Sequence, residues 1–357
     1  MKEHRREWEQ EGWIAGRAGG AFCLGLAEAD AGGFRIFFAA LIRVHLAMMW
    51  RTSMSPTRRD VLKWGVGAGG MAAAATLGLP ASAHAADYYF SWMARLPDNT
   101  YLPHLTIPGT HDSCCTDPSN GTKWAQTQNW GVTEQLQRGI RFLDIRLNGL
   151  QGARNELGVY HGSWYQEKRF QDVLEDCRRY LREYRSETVI MRVKNENEGG
   201  QALDPVEFRR RFNYYLDDLG YRSLVWTNPS WPHLGQVRGK VIVAADFENT
   251  WGILDWSGSK YFNTQDIWNT NNFAKIKAIV NHFDDAWRNQ NADQMYVNFT
   301  SYSDNMWPQV TTKIILPDVI KYLKDRRNER THLGIVPMDY PDFYREVVGL
   351  LVDKNFI

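Results

Sequence analysis

The sequence predicts a single (β/α)8-type TIM barrel, distorted rather than regular, on three observations. Beyond a leader that reads as removable, roughly 270 residues remain, close to the about 250 that such a barrel uses. From about residue 100 onward, short β-type runs alternate with amphipathic helical windows, the rhythm of βαβ units. Imidazole and charged side chains collect at the ends of these runs, where a barrel gathers its chemistry. An open doubly wound sheet is the competing architecture.

Composition supports a globular chain and excludes some partners. Of 357 residues, 43% are hydrophobic and 13% aromatic, enough to bury a full core. With 42 basic residues against 41 acidic ones the net charge is +1, so nothing in the balance points to nucleic acid. Any anion must be met by local charges. The 15 tryptophans and 16 tyrosines exceed the needs of one core, which places some of them on a surface facing apolar or sugar-like matter.

Residues 54–85, MSPTRRDVLKWGVGAGGMAAAATLGLPASAHA, read as a signal peptide of the twin-arginine type. Arg58 and Arg59 form the n-region, a weakly apolar Gly/Ala stretch follows, and Ala83 and Ala85 make an A-x-A cleavage site. Five glycines between Gly65 and Gly78 argue against an internal helix, since each costs about 1 kcal/mol relative to alanine. Residues 1–53 then read as an upstream extension foreign to the protein or a disordered segment, with translation expected to begin at Met54. The mature barrel is assigned to residues 86–357, exported and secreted. Cys23 would be lost, leaving Cys114, Cys115 and Cys177. Adjacent cysteines bridge each other only with strain, and a link from one of them to Cys177 is open. The helical spacing of Phe170, Val173, Leu174, Cys177 and Leu181 favours an ordinary buried thiol at Cys177.

Taken in order, the strand candidates are HLTIPG, IRFLDIRL, LGVYH, ETVIMRVKN, KVIVAADF, QMYVNFTS and HLGIVPMDY. Between them DPVEFRRRFNYYLDDLG shows a cap at Asp204, Pro205 in the first turn, and Glu207 completing a capping box. Its apolar face is Phe208, Phe212, Tyr215, Leu216 and Leu219, before Gly220 stops it. NNFAKIKAIVNHFDDAW aligns Phe273, Ile276, Ile279, Val280, Phe283 and Trp287 as a buried face.

The polar residues at strand ends carry the functional reading. His111 and Asp112 follow the first strand, Asp144 and Arg146 close the second, and His161 follows the third. Lys194 and Glu196 follow the fourth, and Asp339 the last. Two histidines titrating near 6.5 can serve as base and acid in one turnover, each oriented by a carboxylate, for which Asp112 and Asp339 are at hand. Arg146 and Lys194 supply positive charge for a phosphate-like group. No G-x-S-x-G nucleophile setting and no H-E-x-x-H metal motif is present. A phosphodiester attacked by a hydroxyl of its own substrate needs no enzyme nucleophile, and it fits this inventory.

From about residue 95 to the C-terminus, IPGTHDS, FLDIR, GVYHG, VKNE and MDY fall in the order of the X-domain of bacterial phosphatidylinositol-specific phospholipases C, which the sequence resembles. The resemblance implies attack of the inositol 2-hydroxyl on phosphorus, giving diacylglycerol and myo-inositol 1,2-cyclic phosphate. It implies His111 as general base supported by Asp339, and His161 as general acid working with Asp112. Arg146 is then the phosphate clamp, with Asp144 positioning that region. Lys194, Asp266 and Trp268 match substrate-binding positions, and Trp124 falls where the family has an interfacial tryptophan. Trp307, in the loop SDNMWPQ, is the second candidate membrane contact, with packing of either ring the alternative. The resemblance is to the metal-independent branch. Asp112 stands where the calcium-dependent branch has an asparagine, and a hard cation beside Arg146 is electrostatically unfavourable, so neither metal nor cofactor is expected. The expected partner is phosphatidylinositol in membranes, free or in glycosylated anchors, met peripherally by a monomer. Asp246 departs from the family, which places an inositol-binding arginine there. Two other readings compete: a glycerophosphodiester phosphodiesterase holding a divalent metal by carboxylates, and a catalytically lapsed barrel that binds membranes or glycans.

Overall fold

The computed structural model describes residues 89–249, 253–258 and 260–357. The leader, the upstream segment and Cys23 lie outside them. The chain runs β1 (Thr106–Thr110), α1 (Val132–Gln137), β2 (Phe142–Gly149), β3 (Leu157–His161), β4 (Trp164–Arg169), α2 (Phe170–Glu183), β5 (Val189–Asn195), α3 (Pro205–Asp217) and β6 (Val225–Trp226). It continues with α4 (Leu234–Val237), β7 (Val241–Asp246), β8 (Leu254–Asp255), β9 (Phe262–Gln265), α5 (Asn272–Arg288), β10 (Met295–Asn298), α6 (Pro308–Asp325), β11 (Gly334–Met338) and α7 (Glu346–Asp353).

Parallel ladders join the strands in the order β6, β7, β5, β2, β1, β11, β10, β9, and β8 extends the β6 edge of β7. The residues of β1 and β11 are all buried, as strands covered on both faces must be. Gly334 opens β11 at φ +72°, where a Cβ would stand 2.1 Å from the Tyr296 carbonyl oxygen, so no other residue fits. The barrel is distorted, as the sequence predicts. Among the described residues no ladder joins β9 to β6 or β8. Aromatic rings fill that seam: Phe262 packs on Trp256 at 4.6 Å and on Trp231 at 5.2 Å, and the Trp231 indole N–H donates to the Tyr261 carbonyl at 2.9 Å.

The third strand departs from expectation. β3 runs antiparallel to β2 and turns into β4, forming a hairpin rather than a regular barrel strand. The connection from Gly149 to Leu157 is too short for the crossover of a dozen or more residues that a parallel strand requires. β1 stops pairing with β2 at Thr110 and Leu143, which leaves the upper part of β2 free to pair with β3. His161 thereby comes back down toward the end of β1. β4, β6, β8 and β9 are strands that the sequence pattern did not announce.

The helices correct two details. Asp204 caps α3 by accepting from the N–H groups of Val206 and Glu207, but the capping box is absent. Glu207 instead holds Arg210 and Arg211 at 2.7 and 2.8 Å. On α5 the buried face is Lys275, Ile279, Phe283 and Ala286, whereas Phe273 and Trp287 are exposed. The Lys275 amine donates to Gln265 Oε1 at 3.2 Å and the Ile267 carbonyl at 3.0 Å, and satisfying this buried cation turns the helix away from its purely apolar stripe. Phe170, Val173, Leu174, Cys177 and Leu181 share the buried face of α2 as expected, and Cys114, Cys115 and Cys177 are all free thiols.

A fully buried pair sits just before β2 and β5. Arg141 meets Glu187 at 2.7 Å, and its remaining N–H groups donate to the carbonyls of Leu136, Ile140 and Phe90. Among the described residues no helix is long and apolar enough to cross a membrane.

Candidate active site

The end of β1 is built to turn sharply. The His111 N–H donates to the Met338 carbonyl of β11 at 3.0 Å, and the Gln128 side-chain amide bridges the His111 and Met338 carbonyls at 2.8 and 2.9 Å. Asp112 adopts a left-handed backbone at φ +42°, which aspartate tolerates better than most residues and which is common where function imposes strain. Thr127 Oγ1 donates to the Asp112 carbonyl at 2.9 Å and the Ser113 N–H donates to the Asp144 carbonyl at 3.0 Å, fixing the turn. Its product is a carboxylate buried among cations.

Asp112 is the hub. Its Oδ2 lies 3.0 Å from His161 Nδ1 and 3.5 Å from His111 Nε2, while its Oδ1 takes Arg146 Nε at 2.6 Å. Arg146 also reaches Asp144 Oδ2 at 3.2 Å and places Nη2 2.7 Å from His111 Nε2. Behind His111, Nδ1 meets Asp339 Oδ1 at 2.8 Å, and the Phe299 ring stands edge-on to the imidazole. Six residues picked from the sequence, His111, Asp112, Asp144, Arg146, His161 and Asp339, thus form one connected cluster. His161 reaches it from the antiparallel hairpin, not from a parallel strand end.

Charge governs the protonation of this cluster. Burial pushes His111 toward its neutral form, but Asp112 and Asp339 outweigh burial and lift the ring to about 9. Burial would likewise raise Asp112, yet Arg146, His111 and His161 prevail and hold its carboxyl well below the usual range. Asp144 is lowered by Arg146 and Arg192 against its own burial. For Asp339 burial wins over His111 and raises the carboxyl. The Arg146 contact and the His111 charge balance pull in opposite directions. A guanidinium N–H can donate to Nε2 only if that nitrogen is bare, with the ring proton on Nδ1 facing Asp339. The hydrogen bonds therefore describe a ring with a free basic nitrogen, and the carboxylates favour the imidazolium it becomes on taking a proton.

Around the cluster, Lys194 pairs with Glu196 at 2.8 Å, and Glu196 accepts the Gly162 N–H at 3.0 Å, tying β5 to the turn after His161. Asp266 and Trp268 are exposed in the loop after β9. The Ser303 N–H donates to the Trp268 carbonyl, linking that loop to the one after β10, which also carries Trp307. Trp124 is 43% and Trp307 38% exposed, and Lys123 lies over the Trp307 ring at 4.8 Å.

The family profile described as phosphatidylinositol-specific phospholipase C, X domain, matches residues 102–246. A 1-phosphatidylinositol phosphodiesterase of Listeria monocytogenes is 30% identical over 282 residues, covering 74% of this chain and 84% of the relative. The chain belongs to the phosphatidylinositol-specific phospholipase C family. The Staphylococcus aureus (strain Newman) member is 28% identical over 311 residues, 77% of this chain and 98% of its own. Among solved structures, the Listeria monocytogenes enzyme aligns with TM-score 0.65 at 27% identity, over 75% of this chain and 99% of that one. An S. aureus structure aligns with TM-score 0.67 at 26% identity, over 75% and 98%.

Within this phospholipase fold the structure adds residues that the sequence reading passed over. Arg192, nearly buried on β5, grips Asp246 at 2.6 Å and reaches Asp144 Oδ1 at 3.2 Å, with its guanidinium over the Trp256 ring. A guanidinium therefore stands beside Asp246 after all, supplied from the neighbouring strand. The signal was the parity of Arg192 and Lys194, two apart in a strand and so on one face. Gln128, Thr127 and Ser113 gave no comparable signal, because neutral polar residues in a loop look alike until the fold sets their partners. Ile267 and Phe273 add 52% and 74% exposed apolar side chains, Ile267 in the same loop as Trp268.

Proposed function

We propose that this protein is a secreted phosphatidylinositol phospholipase C. It releases diacylglycerol and forms myo-inositol 1,2-cyclic phosphate by histidine general acid–base catalysis. The observation that supports this most is the sharing of Asp112 Oδ2 by two imidazoles, at 3.0 and 3.5 Å, with Arg146 on the other oxygen. His111 Nε2 takes the proton of the inositol 2-hydroxyl, whose oxygen attacks phosphorus. His161 gives a proton to the departing diacylglycerol oxygen. Asp339 holds the proton-bearing Nδ1 of His111 and supports the imidazolium, and Asp112, with Oδ2 3.0 Å from Nδ1, supports the charged form of His161 as an ion-pair partner. Arg146 stabilises the charge that grows on the phosphoryl oxygens. A phosphate oxygen drawing Arg146 Nη2 away from Nε2 would expose the base as substrate arrives. Asp144 and Arg192 hold Arg146 and Asp246 in place, while Lys194, Asp266 and Trp268 meet the inositol ring. Trp124 and Trp307, joined by Trp268, Ile267 and Phe273, form the apolar rim for a membrane surface. Residues 54–85 direct twin-arginine export of the barrel from residue 86.

A metal-bound phosphodiesterase is less well supported, because Arg146 already bridges the carboxylates of Asp112 and Asp144. The decisive experiment is phosphorus NMR of phosphatidylinositol vesicles treated with residues 86–357 in EDTA. The cyclic phosphate should appear first. Loss of activity in chelator, or acyclic phosphate alone from the start, overturns the reading.

A further inference from the structure

The paired cysteines have no part in the chemistry above, yet they are placed differently. Cys114 belongs to the apolar core with Cys177. Cys115 lies on the turn that carries Asp112: its N–H donates to the Asp112 carbonyl at 2.9 Å, and its own carbonyl accepts the N–H groups of Thr127 and Gln128. It is 1% exposed and not in a disulfide. Its sulfur, a carboxylate oxygen of Asp112 and a ring nitrogen of His161 all lie within 4.8 Å of one another. We propose that Asp112, Cys115 and His161 form an inhibitory site for a soft or borderline divalent cation such as Zn2+ or Cd2+.

One thiolate, one carboxylate and one imidazole make a donor set that suits tetrahedral zinc, which takes a water as its fourth ligand. His161 is the side chain through which an ion enters, since it is partly exposed while the other two ligands are buried. Binding is a proton exchange: the S–H bond of Cys115 breaks, an S–metal bond forms, and one proton goes to solvent. An ordinary thiol is protonated near neutral pH and stays so until a metal displaces the proton. The thiolate is also what makes an ion tolerable beside Arg146. Thiolate and Asp112 together cancel the charge of a dication, whereas Ca2+ or Mg2+, which do not recruit sulfur, would face the guanidinium with only carboxylate compensation. Arg146 occupies Asp112 Oδ1, leaving Oδ2 for the metal. That oxygen is the one now holding His161, so an ion there takes both the orienting carboxylate and the ring nitrogen from the contact at 3.0 Å. Inhibition follows.

The site is tested by binding as well as by turnover, so its failure is separable from failure of the proposed phospholipase reaction. Folded protein titrated with CdCl2 should show thiolate-to-metal charge-transfer absorption at one equivalent with release of one proton. Cys115→Ser and Cys115→Ala should lose that band and bind at least about 10-fold more weakly, the scale on which even outer-shell changes act. Cys114→Ser should keep it. ZnCl2 should inhibit the wild type and Cys114→Ser reversibly, with recovery in EDTA, and leave the Cys115 variants active, while CaCl2 does nothing. No thiolate band in the wild type, or a band that follows Cys114, overturns the site. Equal zinc inhibition of the Cys115 variants overturns its regulatory meaning.

Discussion

Replacing Asp339 by asparagine isolates the support given to His111. The substitution keeps the shape and removes a charge 2.8 Å from Nδ1. At an effective dielectric near 20, opposite charges about 4 Å apart interact by roughly 4 kcal/mol. Some of this is recovered by the neutral hydrogen bond, and an asparagine that donates to Nδ1 would fix the wrong tautomer. The combined effect on turnover is expected at about 10²- to 10⁴-fold, the range spanned by positioned proton donors and by tautomer loss. A second readout separates this from loss of fold. His111 stands at about 9 partly because of Asp339, so in Asp339→Asn its pKa falls. The base acts when unprotonated, so the rising limb of kcat/KM against pH should move to lower pH even as its height drops. The stability that His111 contributes, complete below about 6.5 and lost as pH rises through about 9, should shrink in parallel. The assay is the initial rate of phosphatidylinositol cleavage in micelles from pH 5 to 10. A variant within a factor of about two of wild type, with its limb unmoved, refutes the assignment of His111 as the supported base.

Three further outcomes are expected. His161→Ala should lower turnover by about 10²–10⁴ while leaving thermal unfolding near wild type, because the ring is partly exposed and Arg146 still neutralises the buried Asp112. Glu187→Ala strands the buried Arg141 guanidinium, and urea unfolding should report a loss of about 3–5 kcal/mol with activity per folded molecule retained. Burial lowers Lys275 to about 8 in the folded state, against 10.5 ordinarily. Between those values the unfolded chain keeps a proton that the folded chain has lost, so stability rises with pH there, by up to about 3 kcal/mol at 1.36 kcal/mol per unit. Lys275→Met should flatten that rise in urea titrations at pH 7, 9 and 10, and an unchanged slope would show that the amine is not held as described.

Much of the site was legible because catalytic types at strand ends are rare. HDS after β1, the histidine of GVYHG and the aspartate of MDY each stand where a short apolar run stops. Asp144 and Arg146, expected to close the second strand, lie inside β2, which runs on to Gly149, and the fold brings all of them together. The open seam beside β9 was not legible, since β6 and β8 are two residues each and leave almost no periodicity to read. Nor was the rotation of α5, where a stripe of apolar residues competes with one buried amine that needs oxygen partners.

By itself the sequence determined the alternation of strands and helices, the Asp204 cap and the chemical inventory of the mouth, because these depend on local periodicity and residue type. Only the tertiary structure decided the pairings. β3 folds back because β1 ends early and exposes the upper edge of β2, and that places His161 against Asp112. Arg192 meets Asp246 through the register of β5 with β7. Which side chain meets which across strands is set by register and chain reversal, properties of distant segments packed together that no local window contains.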